Sequence, residues 1–257
     1  MLKTICFDLD DTLLWDKKSI QTAFDRTCES VANIDASALE EAVRSAARKL
    51  YQSYPTYEHT QMIGINPFEG LWGTFDDPGE AFQQMKTTIP NYQFNAWKQG
   101  LLALNIDDDA LAKTLSERFI VERMKHPFTY EETFDVLDEL RDDYTLLLLT
   151  NGAPSLQRLK LDITKEIAQR FNHVVISGEF GRGKPDPAIF EYALSLADTD
   201  KSDAIMIGDN LNTDILGSNR IGMKNIWINH HNQTVKDIQP TYEVKRLKEV
   251  LPIIKRL

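Results

Sequence analysis

Five short apolar runs in this chain each close on polar residues: TICFDLD (4–10), TLLLLTN (145–151), HVVISG (173–178), AIMIGDN (204–210) and NIWIN (225–229). Each is continuous rather than alternating, as expected of strands covered by helices on both faces. The last four are separated by helix-like segments, among them PSLQRLKLDITKEIAQRF (154–171) and DPAIFEYALSLAD (186–198). The second of these aligns Ile189, Ala193 and Leu196 on one face. Alternating strands and helices imply parallel pairing through right-handed crossovers, so the expected fold is α/β with a doubly wound, Rossmann-like parallel sheet.

Between the first and second runs the period changes. Residues 16–126 contain no convincing strand and read as helical. Ser37-x-x-Glu40 has the form of a capping box, followed by Leu39, Val43, Ala46, Ala47 and Leu50 along one face. DDDALAKTLSERFI (107–120) places three carboxylates where a helix dipole favours them and lines up Leu111, Leu115 and Phe119. The Pro-, Gly- and aromatic-rich stretch 54–80 is expected to be irregular. The expected organisation is a core of 1–15 and 127–257 carrying an all-helical insert, 16–126.

Composition narrows the partners. Lys plus Arg (29) against Asp plus Glu (39) gives a net charge of −10, which argues against a nucleic-acid backbone or an anionic membrane surface. Cys6 and Cys28 form no C-x-x-C pair and read as reduced thiols. Met1 leads directly into the first apolar run, and YTLLLLT (144–150) is far short of a membrane span. A cytoplasmic protein is expected, with oligomeric state unreadable.

In doubly wound sheets reactive residues gather beyond the C-terminal ends of the strands. Here those ends supply Asp8-Leu9-Asp10-Asp11-Thr12, Thr150-Asn151-Gly152, Gly183-Lys184-Pro185-Asp186-Pro187, and Gly208-Asp209-Asn210 with Asp214 four residues on from Asn210. Gly178 to Lys184 also spell G-x-x-x-x-G-K, the body of a phosphate-binding P-loop. Pro185 stands where that loop needs a hydroxyl, and it biases Lys184 towards an extended backbone. Asp186 and Pro187 read as an N-cap and first helical position of a new helix.

FDLDDTL, LLLLTNG, GKPDPAIF and GDNLNTDI resemble, in order and on the right elements, the four motifs of the haloacid dehalogenase superfamily. The resemblance covers 1–15 and about 127–230; the insert matches only in position and helical character, as a cap. It implies Asp8 as the nucleophile that attacks phosphorus and Asp10 as general acid and base. Thr150 and the Asn151 amide would hold phosphate, and Lys184 would neutralise both Asp8 and a phosphoryl oxygen. Asp8, the Asp10 carbonyl, Asp209 and Asp214 would ligate a metal, Asp214 either directly or from behind a ligand. LLLLTNG with WIN after the fifth run resembles the N-acylneuraminate-9-phosphatase branch and the bacterial pyrimidine-nucleotide phosphatases.

The charges point the same way. One like-charged pair at about 4 Å costs roughly 4 kcal/mol at an effective dielectric of about 20. Lys184 alone does not offset Asp8, Asp10, Asp209 and Asp214 against a phosphate dianion, and an all-oxygen donor set selects Mg²⁺. The expected activity is a Mg²⁺-dependent phosphomonoesterase acting on a sugar phosphate, nucleoside monophosphate or phosphoserine-like metabolite. A phosphomutase is the alternative inside the superfamily; a phospho-acceptor receiver or an idle binding module is the alternative outside it. His230-His231 lack a spaced metal partner and read as a solvated loop. Trp72, Phe75 and Trp97 read as core of the insert.

Overall fold

All five apolar runs are strands in the computed structural model, which describes residues 1–235 and 237–257. They are β1 (Thr4–Phe7), β2 (Thr145–Thr150), β3 (His173–Ile176), β4 (Ala204–Gly208) and β5 (Lys224–Ile228). A sixth, β6 (Tyr242–Val244), completes a sheet of order β3-β2-β1-β4-β5-β6, parallel at every pairing. Three residues are too few for a periodic signal, so β6 was invisible in the sequence. The strand order reverses between β1 and β4, with Phe7 opposite Ile207, and the Asp8 amide continues that ladder with a 2.9 Å bond to the Ile207 carbonyl.

The continuous runs are explained by burial on both faces of the sheet. Ile5, Phe7, Leu146, Leu148, Ile205 and Ile207 face one core with Val136, Leu137 and Leu140 of α7 (Thr133–Leu140) and Val250 and Leu251 of α13 (Val250–Ile254). Cys6, Leu147, Leu149 and Met206 face the other, against Ile189, Phe190, Ala193 and Leu194 of α11 (Pro187–Leu196). Leu196, expected on the buried stripe of that helix, is 40% exposed. The stripe turns through Phe190 and Leu194 instead, one residue round the helix. The long segment 154–171 is two helices, α8 (Pro154–Ile163) and α9 (Lys165–Ala168), with Thr164 between them.

The chain divides into two compact units: Met1–Asp16, Thr129–Gly152 and Lys160–Leu257 form the first, Lys17–Phe128 and Ala153–Leu159 the second. The second unit contains α2 (Ala36–Ser53), α3 (Tyr57–Ile63), α4 (Pro67–Gly70), α5 (Glu80–Ala103) and α6 (Asp109–Lys125), together with α1 (Asp16–Cys28) beyond its first residue. Its core holds Phe24, Trp72, Phe75, Trp97 and Phe119, and Gly100 of α5 sits against Val43 of α2. The stretch 54–80 is more ordered than its composition suggests, because Asn66 and Glu69 form a reciprocal capping box that starts α4. The box expected at Ser37 and Glu40 is absent. Asp35 caps α2 instead by accepting from the Ala38 amide at 2.7 Å, which starts the helix earlier and leaves Ser37 inside it. Among the described residues no helix is long and apolar enough to cross a membrane.

Candidate active site

β1 ends at Phe7, and the chain turns sharply over the next seven residues. The Leu13 and Leu14 amides both donate to the Leu9 carbonyl at 2.9 Å, and Asp11 takes a positive φ of 60°. Asp11 is thus a turn residue in the left-handed region, which aspartate tolerates better than most side chains. Asp8 is left at the strand tip, 8% exposed. Its Oδ2 accepts from the Thr12 hydroxyl at 3.1 Å, and Thr12 Oγ1 accepts from the Asp209 amide at 3.1 Å. Thr12 therefore laces the β1 loop to the β4 loop. It lies inside FDLDDTL, but its lacing role has no signature in the sequence.

Lys184 arrives from the loop after β3. Its Nζ lies 2.6 Å from Asp8 Oδ1, 2.7 Å from Asp214 Oδ1 and 2.6 Å from the Leu149 carbonyl, and the side chain is 1% exposed. Burial alone would lower the lysine pKa, but Asp214 and Asp8 outweigh it and the net shift is upward, so the cation is retained. Burial pushes the Asp8 carboxyl up to about 6, against the opposing pull of Lys184. The Lys184–Pro185 peptide is cis, and Asp186 caps α11 through the Ala188 amide with Pro187 at its first turn, as the sequence indicated. The loop before Lys184 is held by Asn151, whose Oδ1 accepts from the Lys184 amide at 2.8 Å while its Nδ2 donates to the Lys184 carbonyl at 2.9 Å. A Cβ on Gly183 would stand 2.8 Å from Asn151 Oδ1, so this approach needs glycine. Thr150 is buried at the end of β2, one residue beyond the carbonyl that receives Lys184.

Asp214 lies in a π-helical turn, Leu211–Ile215, whose first bonds run from the Asp214 and Ile215 amides to the Asn210 carbonyl. Such turns recur at functional sites because they redirect one side chain. Asp214 Oδ2 accepts from the Asn210 amide at 3.1 Å. A Cβ on Gly208 would stand 2.3 Å from that oxygen, so glycine at the end of β4 makes room for the carboxylate. Asp8, Asp209 and Asp214 each offer an oxygen within 4.8 Å of the others. Three hard anionic donors at that spacing, two of them buried, fit a divalent cation with oxygen ligands.

Asp10 points elsewhere. Its Oδ2 is 2.9 Å from Nζ of Lys160, a residue of α8 that is only 1% exposed and that lies outside the four motifs. Burial raises the Asp10 carboxyl to about 6; Lys160 opposes the shift and Asp16 adds to it. A signal did exist. Leu156, Gln157, Lys160, Leu161 and Thr164 form one buried stripe at helical spacing, and a charged residue on such a stripe implies a buried partner. His230 is not a plain solvated loop residue. Its ring stacks on Tyr130 at 4.4 Å and its Nε2 lies 3.1 Å from the Asp11 carbonyl, while Tyr130 stacks in turn on Trp15 at 5.3 Å.

Comparison with known proteins bears on the family and the fold. The haloacid dehalogenase-like hydrolase family matches the chain over residues 2–222. The phosphoserine phosphatase of Thermus thermophilus is 31% identical over 227 residues, covering 88% of each chain. The pyrimidine 5'-nucleotidase YjjG of Escherichia coli is 32% identical over 160 residues, 62% of this chain and 68% of its own. In solved structures, the magnesium-bound HAD-hydrolase YfnB of Bacillus subtilis superposes with a TM-score of 0.69 over 98% of both chains at 20% identity. That last likeness concerns the fold.

Proposed function

The chain belongs to the haloacid dehalogenase-like hydrolases, and within that family we propose that it is a divalent-metal-dependent phosphomonoesterase working through an aspartyl-phosphate. One observation carries the reading: a second carboxylate, Asp10, follows the buried, lysine-paired Asp8 by two residues and has its own buried cation. Displacing halide needs no proton donor. Expelling an alkoxide from a phosphate ester does.

Asp8 attacks phosphorus through a carboxylate oxygen, forming the Asp8–phosphorus bond as the ester oxygen leaves. Asp10 gives its proton to that oxygen, so the alcohol departs neutral. Asp10, now a carboxylate, takes a proton from water as the water oxygen attacks the phosphoryl group. The Asp8–phosphate bond breaks, releasing inorganic phosphate and restoring Asp8. Lys184 offsets charge on Asp8 and the phosphoryl oxygens throughout, and Thr150 with the Asn151 amide receives phosphoryl oxygens. Asp8, the Asp10 carbonyl and Asp209 would hold the metal. Asp214, with its two oxygens turned to Lys184 and the Asn210 amide, would stand behind it. When bound, Mg²⁺ supplies positive charge that stabilises the transferring phosphoryl group.

The substrate class is a small phosphorylated metabolite, with phosphoserine and pyrimidine nucleotides suggested by relatives named for those substrates. The helical unit serves as the cap that selects it, and the buried free thiols Cys6 and Cys28 fit a reducing cytoplasm. Asp8→Asn tests the reading: inorganic phosphate release from p-nitrophenyl phosphate with Mg²⁺ is abolished while the far-ultraviolet circular dichroism is unchanged. Undiminished release would refute it. A screen of phosphoserine, nucleoside monophosphates and sugar phosphates, with and without Mg²⁺, assigns the substrate.

A further inference from the structure

A lysine that is 1% exposed needs polar partners in a protein core, and here one of them is the side chain assigned as proton donor. Lys160 sits on α8, in the helix that follows the β2 loop, and its carbonyl accepts from the Thr164 hydroxyl at 2.7 Å, which fixes the helix end beneath it. Asp10 is in a different position from its neighbour Asp8. Its side chain is 25% exposed and lies in the turn that follows β1. The 2.9 Å contact from Lys160 Nζ to Asp10 Oδ2 orients the carboxyl from the protein side. A hydrophobic residue would fill the same position on the helix stripe at lower desolvation cost. A cation there is accounted for by what it holds.

We propose that Lys160 is a positioning residue for the phosphoryl-transfer step: it fixes the Asp10 carboxyl so that the proton is delivered to the ester oxygen as the bond to phosphorus breaks. This rests on the phosphomonoesterase reading above. The proton moves from Asp10 to the leaving oxygen while the Asp8–phosphorus bond forms, and Lys160 itself neither gains nor loses a proton. Loss of the lysine therefore leaves phosphate binding intact and weakens only the help given to poor leaving groups.

Substituted phenyl phosphates provide the test, because they share one shape while their leaving groups differ in acidity. Lys160→Met leaves kcat/KM for p-nitrophenyl phosphate within about fivefold of wild type, since that anion departs without a proton, and lowers kcat/KM for phenyl phosphate about 100-fold. Equal losses on both esters, or no loss on either, overturn the proposal. An Asp10→Asn, Lys160→Met double variant removes both buried charges and so avoids leaving one unpaired. It matches Asp10→Asn alone on both esters if Lys160 acts through Asp10, and a further drop in the double variant overturns the proposal even if Lys160→Met fails to fold. A wild-type protein inactive on every ester would defeat the phosphomonoesterase reading itself.

Discussion

Asn151 and Lys184 exchange two backbone-directed hydrogen bonds, 2.8 Å into Asn151 Oδ1 and 2.9 Å from its Nδ2, so a side chain of the β2 loop fixes the backbone that delivers the lysine. Lys184 Nζ in turn meets Asp8, Asp214 and the Leu149 carbonyl. Asn151→Leu removes both bonds while roughly keeping volume. Two lost neutral hydrogen bonds cost about 2 kcal/mol of stability, and misplacing a catalytic group by about 1 Å costs on the order of 100-fold in rate. The expected result is a modestly lower melting temperature with a disproportionate fall in kcat. Equal kcat in variant and wild type would show that the lysine loop is held by other contacts.

Thr12 offers a second test, because its hydroxyl donates to Asp8 and accepts from the Asp209 amide. Thr12 is fully buried, so Thr12→Val leaves an amide and a carboxylate oxygen short of a partner without opening a cavity. The expected cost is about 1–3 kcal/mol, read as a shift in the urea midpoint with unchanged slope. Thr12→Ser, which keeps the hydroxyl, recovers most of it.

Thr12 also marks the limit of what the sequence discloses. Asp8, Lys184, Asp209 and Asp214 were legible because continuous apolar runs locate strand ends, and strand ends in a doubly wound sheet converge on one edge. Thr12 and Lys160 were not singled out, since their meaning lies in partners 197 and 150 residues away. The Trp15, Tyr130 and His230 stack was hidden for the same reason, as its rings come from three separate stretches of chain. The helix start at Asp35 is not legible because Ser37 and Glu40 satisfy the capping pattern in the sequence. The cap falls to Asp35, whose side chain accepts from the Ala38 amide.

Metal binding has a readout that does not depend on turnover. A ligand that binds only the folded state at 100 times its dissociation constant adds about 2.7 kcal/mol of stability. Adding MgCl₂ to the chelated protein is expected to raise the melting temperature by several degrees, and Asp209→Asn is expected to abolish that rise. A rise of equal size in Asp209→Asn would place the ion away from the three clustered carboxylates.

The helical unit has its own sensitive point. A Cβ at Gly100 would stand 2.4 Å from Val43 Cγ2 and 3.0 Å from Val43 backbone atoms, so α2 and α5 approach as closely as they do only because residue 100 is glycine. Gly100→Ala improves helix propensity by roughly 1 kcal/mol, while overpacking a core costs about 1–3 kcal/mol. The clash involves backbone, which cannot rotate away, so destabilisation is expected to win. Gly100→Ala with Val43→Ala removes the 2.4 Å side-chain clash, leaves the backbone one, and restores part of the loss in a urea titration. A Gly100→Ala single variant more stable than wild type would contradict this.

Asp8 and Asp10 tie stability to pH in the metal-free protein. Burial raises both carboxyls from 3.8 to about 6. Between about pH 4 and pH 6 the folded protein therefore holds protons that the unfolded chain has released. Stability contributed by these groups falls as pH rises through that window; the penalty is absent below the unfolded pKa and complete above the folded one. Other carboxylates add slopes of their own, so the informative quantity is a difference. In chelator, Asp8→Asn combined with Asp10→Asn removes both titrations and is expected to gain stability relative to wild type as pH goes from 4 to 6.5. Magnesium favours the ionised carboxylates and should shrink that gain. Melting curves that run parallel for the two proteins across this range would mean that neither carboxyl is raised by its burial.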